Sequence, residues 1–205
     1  MLTPEDAQFL TDSASGLASP LHEALEAAHG IANKHYDKYA MEDGYTKGRT
    51  DLTRDHARKL LEDPQKDLGG WRVPKGKSGR LTLYRNALSL KILHAAPLEG
   101  VPAPGRNQAR IRYYRNHSAT LHGAEASSLL AVWTHDAKAD QVVIRIVRPT
   151  GIWKHGHAPA VDFDIPLPRS AEDFANLVFI PNDQDIPLPF AFDDETGEES
   201  GTSGA

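Results

Sequence analysis

Leu129-Leu-Ala-Val-Trp-Thr134, then Asp136-Ala-Lys-Ala-Asp140, then Gln141-Val-Val-Ile-Arg-Ile-Val147 is the stretch that decides the fold. Two apolar arms flank a short run of small and polar residues, and the second arm is the most β-branched segment of the chain. β-Branched side chains fit a pleated, half-buried surface, so the stretch predicts an antiparallel hairpin at the centre of a sheet.

Outward from this hairpin, the segment Trp71–Ile92 also predicts strands: Leu81, Leu83 and Tyr84 precede Leu88, Leu90 and Ile92, although a short helix fits the last three. Pro97–Gly105 is a loop, and Arg110-Ile-Arg-Tyr-Tyr-Arg115 reads as a strand with Arg110, Arg112 and Tyr114 on one face. On the other side, Ile152–His157 and Val161–Ile165 are expected to form a second hairpin. A short helix follows from Ser170 to about Asn176, with Ser170 as N-cap and Asp173 at N3.

The N-terminal part has a different period. Leu21, Leu25, Ala28, Ala32, Tyr36 and Tyr39 recur at three- and four-residue steps, one stripe of a helix turning about 100° per residue. Ser19-Pro20 is its expected start and Gly44 its expected stop; a second helix is expected from Thr53 to Glu62. Gly69-Gly70 marks the change of character. The fold expected is therefore α+β: helices in 1–68 packed on an antiparallel sheet within 69–182, followed by a disordered acidic tail over 183–205. That tail carries seven acids and no Lys or Arg. Asp-Ile-Pro-Leu-Pro occurs at 164–168 and again at 185–189, where alternate prolines suit sheet edges or a docking segment, not a central strand.

Composition narrows the function. With no cysteine among 205 residues, disulfides, thiolate metal sites and cysteine nucleophiles are excluded. The longest unbroken aliphatic or aromatic run, Leu129–Trp133, falls far short of the ~20 residues of a membrane span, and the start Met-Leu-Thr-Pro-Glu-Asp has no apolar leader, so the expectation is cytoplasmic. Net charge is −5, yet ten Lys or Arg stand against one acid between Trp71 and His117. Such a block suits phosphate contacts, with Trp71, Tyr84, Tyr113 and Tyr114 placed to stack on bases. The expected function is nucleic-acid binding, DNA or RNA, through Arg72, Lys75, Lys77, Arg80, Arg106, Arg110, Arg112, Tyr114 and Arg115. The alternative is a protein-interaction adaptor using 164–189 and the acidic tail, with the cations complemented by acids.

Candidate chemistry is sparse. His22, Glu26, His29 and Asn33 share one face of the long helix, which reads as solvated. His155-Gly-His157 near Asp162 and Asp164 has the residue types of a metal site, but in the expected hairpin Lys154 faces Asp164 and the imidazoles fall on the opposite side. No cofactor motif is present. Helices followed by a meander carrying Arg110, Arg112, Tyr113, Arg115, His117, Arg145 and Arg148 resemble in layout the RelE-type toxins. That resemblance implies metal-independent RNA cleavage, with His117, Arg115 and Tyr113 as candidate catalytic residues.

Overall fold

The hairpin forms as its pattern requires. In a computed structural model, which describes residues 2–39, 46–75, 81–96, 100–116 and 127–175, β3 (Ser128–Asp136) and β4 (Gln141–Pro149) pair antiparallel from Leu130↔Val147 to Asp136↔Gln141. Asp136 Oδ1 accepts from Lys138 N at 2.9 Å, and Asp140 takes φ 48° to close the turn.

Three more strands complete the sheet in the order β1-β2-β3-β4-β5. β1 (Thr82–Arg85) and β2 (Leu88–His94) form a tight hairpin through Asn86, whose φ of 52° is one that Asn tolerates. β2 then pairs parallel with β3, the one parallel joint among the described strands in the otherwise antiparallel sheet of the α+β fold that the sequence predicts. A parallel neighbour needs a long crossover, and residues 95–127 supply it, including α4 (Gln108–Tyr113). β5 (Val161–Pro166) pairs with β4 and forms the edge. Both Ile165 and Leu167 of the first Asp-Ile-Pro-Leu-Pro copy are buried there, and Leu167 N donates to Ile144 O at 2.8 Å.

Helices cover one face. α1 (Pro4–Ser15) opens with Thr3 and Asp6 in a reciprocal capping box. α2 (Ala18–Lys38) starts a turn's fraction earlier than Ser19-Pro20 suggests: Pro20 sits inside the first turn, where the missing N–H has no intrahelical partner to lose. α3 (Thr46–Leu61) likewise begins before Thr53. Leu21, Leu25 and Ala28 of α2 and Ala57 and Leu61 of α3 join Leu90, Trp133, Ile144 and Ile146 in one core. Each fully buried Leu contributes roughly 1.5–3 kcal/mol over exposure. Gly16 and Gly69 cross so closely that a Cβ on Gly16 would stand 2.6 Å from Gly69 Cα. Nearby, Ser13 O accepts from Trp71 Nε1 at 2.7 Å and from Arg85 Nη1 at 2.8 Å, which ties the start of the sheet region to α1.

The opposite face carries a second, smaller cluster of Leu130, Val132, Val147, Ala95 and Tyr114, closed by Tyr113, Val101 and Leu93. α4 provides both tyrosines at its C-terminal end, and this is the main departure from the sequence reading: residues 108–113 are helix, not strand. Asn107 is the cause. Its Oδ1 caps Ala109 N at 3.0 Å and Arg110 N at 3.2 Å, and Gln-Ala-Arg-Ile-Arg continues with good helix formers.

The expected hairpin of 152–157 with 161–165 does not form. His157 N bonds Lys154 O at 3.1 Å within a turn, with Gly156 at φ 83°, while 161–166 pairs with β4. Asp164 consequently pairs with Arg145 instead of Lys154, and Asp162 with the buried Arg148. At the C-terminal end α5 (Ala171–Ala175) starts from the Ser170 cap, whose Oγ accepts from Asp173 N at 3.1 Å. Among the described residues no helix is long and apolar enough to cross a membrane.

Candidate functional site

The β1 ladder stops at Thr82↔Lys91, whereas β2 runs on to His94. Beyond the bond from Ile92 N to Leu81 O at 3.0 Å, no described residue pairs with β2 on that side, and two clefts lie along this end of the strand.

The first is small, about 80 Å³, and is lined by Arg54 of α3, Leu81, Lys91, Ile92 and Leu93 of the β1–β2 region, and Arg110 of α4. Three cations from three elements meet at a space whose lining, among the described residues, holds no carboxylate. Lys91 is held in place by the Tyr113 ring, whose centroid lies 3.8 Å from Nζ. Arg54 also pairs with Asp51 at 2.8 Å, on the helix surface. Arg110 is exposed.

The second cleft is larger, about 260 Å³, and lies on the helix-covered face. His29 and Asn33 come from α2, Arg49, Thr50 and Thr53 from α3, His94 from β2, and Trp133, Thr134 and His135 from β3. Register explains the grouping: His94 and Trp133 are Cα partners, and alternation returns His135 to the Trp133 face. The imidazoles of His29 and His135 stack with centroids 4.5 Å apart, and that of His94 stands edge-on to Trp133 at 4.5 Å. Asn33 Nδ2 donates to His29 Nε2 at 3.0 Å, which leaves the proton of neutral His29 on Nδ1. His135 Nε2 lies 3.1 Å from Asp140 Oδ1. Burial holds the His29 pKa below its ordinary value, and the neighbouring His135, Arg49 and His94 push it the same way against Asp140. His29 Nδ1, Asn33 Oδ1 and Thr134 Oγ1 are buried without a hydrogen-bond partner.

The residues singled out in the sequence are dispersed. Helical geometry turns Arg110 and Arg112 about 200° apart, so the shared stripe expected of a strand does not exist. Arg106, Arg112 and Arg115 are exposed around α4. Arg72 and Lys75 line a separate cleft beside Glu62 and Asp63. Lys77, Arg80, His117, the second Asp-Ile-Pro-Leu-Pro copy and the acidic tail lie outside the described residues.

The aromatic residues are corrected more sharply. Trp71 is buried with its indole N–H on Ser13 O, and Tyr114 is buried with its hydroxyl donating to Pro102 O at 2.7 Å. The Tyr113 hydroxyl lies between Leu129 O at 2.8 Å and Ser89 O at 3.0 Å. Burial raises the Tyr113 pKa far above its ordinary value and pushes Tyr114 up to about 12. Both phenol hydroxyls are thus engaged with backbone carbonyls, and the Tyr114 ring is buried. Only Tyr84 among the four expected platforms is exposed.

His155 and His157 stand on the exposed 151–160 loop, where the His155 ring is 5.7 Å from Trp153. No group of three His, Asp or Glu among the described residues is arranged to hold a metal ion. The expected solvated face of α2 is also corrected: His22 is buried and donates from Nε2 to Leu167 O at 2.8 Å, while Glu26 pairs with Arg169. Sequence reasoning missed the histidine cleft. The His29–Asn33 spacing was its one local sign, since the remaining lining residues come from elements distant in the chain.

Comparison with protein-family models, with curated proteins and with solved structures returns no match.

Proposed function

We propose that this protein binds nucleic acid along the seam between α3, the C-terminal end of β2 and α4. The observation that supports this reading is the convergence of Arg54, Lys91 and Arg110, cations from three elements, on one depression. Phosphate oxygens are the natural counter-charge for such a cluster, and guanidinium groups engage them in bidentate fashion. Exposed Arg106, Arg112 and Arg115 extend the positive surface around α4. With Trp71 and Tyr114 buried and the Tyr113 hydroxyl held by two carbonyls, backbone contact outweighs base stacking in this reading, so discrimination among sequences is expected to be weak.

The test is binding of fluorescent single- and double-stranded DNA and RNA to the wild type and to Arg110→Glu, a change at an exposed helix position. Affinity is expected to fall at least tenfold at low salt, with an unchanged far-UV spectrum. Equal affinity in the variant would remove the seam as the binding surface.

A further inference from the structure

We propose that the cleft between α2, α3 and the ends of β2 and β3 is a binding site for a phosphate group. This goes beyond the nucleic-acid reading and does not depend on it.

Three observations point to an oxyanion. Among the described residues the lining holds Arg49 and three imidazoles and no carboxylate, so it carries positive charge over the physiological range. Asp140 pairs with His135 at the rim and is itself exposed. His29 Nδ1 and Thr134 Oγ1 are donors buried without a partner, and leaving such groups unmatched costs about 1–3 kcal/mol each unless something occupies the space.

The arrangement favours phosphate over a planar carboxylate. Donors come from α2, α3, β2 and β3, and so surround the cleft from several sides in place of forming one flat fork. Tetrahedral oxygens can meet such a set together. Asn33 Oδ1 is an acceptor in the same wall, and it suits the remaining proton of a monoanionic phosphate or a hydroxyl of the group that bears it. At about 260 Å³ the cleft lies just below the ~300–1,000 Å³ of small-molecule pockets, room for a phosphate with part of its carrier.

Two sources share this chemistry: a phosphorylated small molecule, and the terminal phosphate of a nucleic-acid strand. The second would connect the two clefts, because Arg49 and Arg54 lie about 7.5 Å apart along the axis of α3.

The experiment is a titration of the full chain with inorganic phosphate at constant ionic strength, read by the imidazole ¹H–¹³C signals, with acetate as the control anion. Saturable shifts are expected for His29, His94 and His135, at least fivefold larger than those of His155 and His157 on the exposed loop. Arg49→Gln should weaken binding at least tenfold. Because Arg49 also packs on the Tyr36 ring, Thr134→Val serves as a second, nearly isosteric variant and should weaken binding at least threefold. Shifts no larger at the cleft than at His155 and His157, equal responses to acetate, or undiminished binding in Thr134→Val would overturn the proposal. A second titration separates the sources. Tighter binding of a 5′-phosphorylated oligonucleotide than of a nucleoside monophosphate identifies the strand terminus, and the reverse identifies a small molecule; either supports a phosphate site. Failure with inorganic phosphate while Arg110→Glu still abolishes nucleic-acid binding would remove the cleft alone.

Discussion

Two regions of the molecule, the contact of α4 with the sheet and the cleft under α2 and α3, treat buried polar groups in opposite ways. Under α4, the polar groups are matched: Asn116 Nδ2 donates to Ser128 O and to Pro149 O at 2.7 Å each, its Oδ1 accepts from Ser128 N at 2.8 Å, and both tyrosine hydroxyls reach carbonyls. Under α2 and α3, the cleft at the ends of β2 and β3 leaves His29 Nδ1, Asn33 Oδ1 and Thr134 Oγ1 unmatched. A matched network serves the fold, whereas unmatched polar atoms gathered in one cleft are what a binding site looks like before it is filled.

That contrast is open to substitution. The largest effect is expected at Asn116, where Ala would orphan two carbonyls and an amide and cost about 3 kcal/mol, measured by urea unfolding. A loss below about 1 kcal/mol would mean that the network is not what holds the α4 face. Tyr114→Phe removes one hydrogen bond and leaves the ring in place, so roughly 1 kcal/mol is expected from the same measurement.

Acid should act on the other face. Burial lowers the pKa of both His22 and His29, so the unfolded chain takes up their protons first. Their contribution is complete above the unfolded value of about 6.5 and is lost as pH falls below it. Tm is therefore expected to drop between pH 7 and pH 5, and less so in His22→Gln, whose amide can still donate to Leu167 O but does not titrate. An identical slope in that variant would assign the acid sensitivity elsewhere. The smallest effect is expected at Thr134. Replacement by Val removes an unmatched hydroxyl and should leave stability unchanged or raise it by about 0.5–1 kcal/mol, the opposite sign to Asn116→Ala. A clear loss would mean that the hydroxyl is engaged within the fold.

The same contrast explains what the sequence revealed. The 129–147 hairpin and the stripe Leu21–Tyr36 were legible because period and turn chemistry agree locally. Ser170 with Asp173 announced α5 for the same reason. By contrast, Arg110-Ile-Arg-Tyr-Tyr alternates like a strand, and its helix follows from the cap at Asn107, three residues before the alternating run. The parallel β2–β3 pairing depends on a crossover with no local signature. The histidine cleft was the least visible, since His29, Arg49, His94 and His135 stand on four different elements and meet only once the sheet register is set. Of the basic block, the charge was visible but not its dispersal: Arg85 serves the fold through Ser13 O, and Arg72 lies beside acids.

Whether the seam contacts phosphates is read from affinity for a labelled oligonucleotide across a salt series, comparing the full chain with a Lys91→Gln, Arg110→Glu double variant. In the wild type log K is expected to fall linearly with log salt, and in the variant the slope is expected to become shallower by about 0.7–0.9 for each phosphate contact removed. No binding by the wild type, or the same slope in both proteins, would contradict a phosphate-contacting seam.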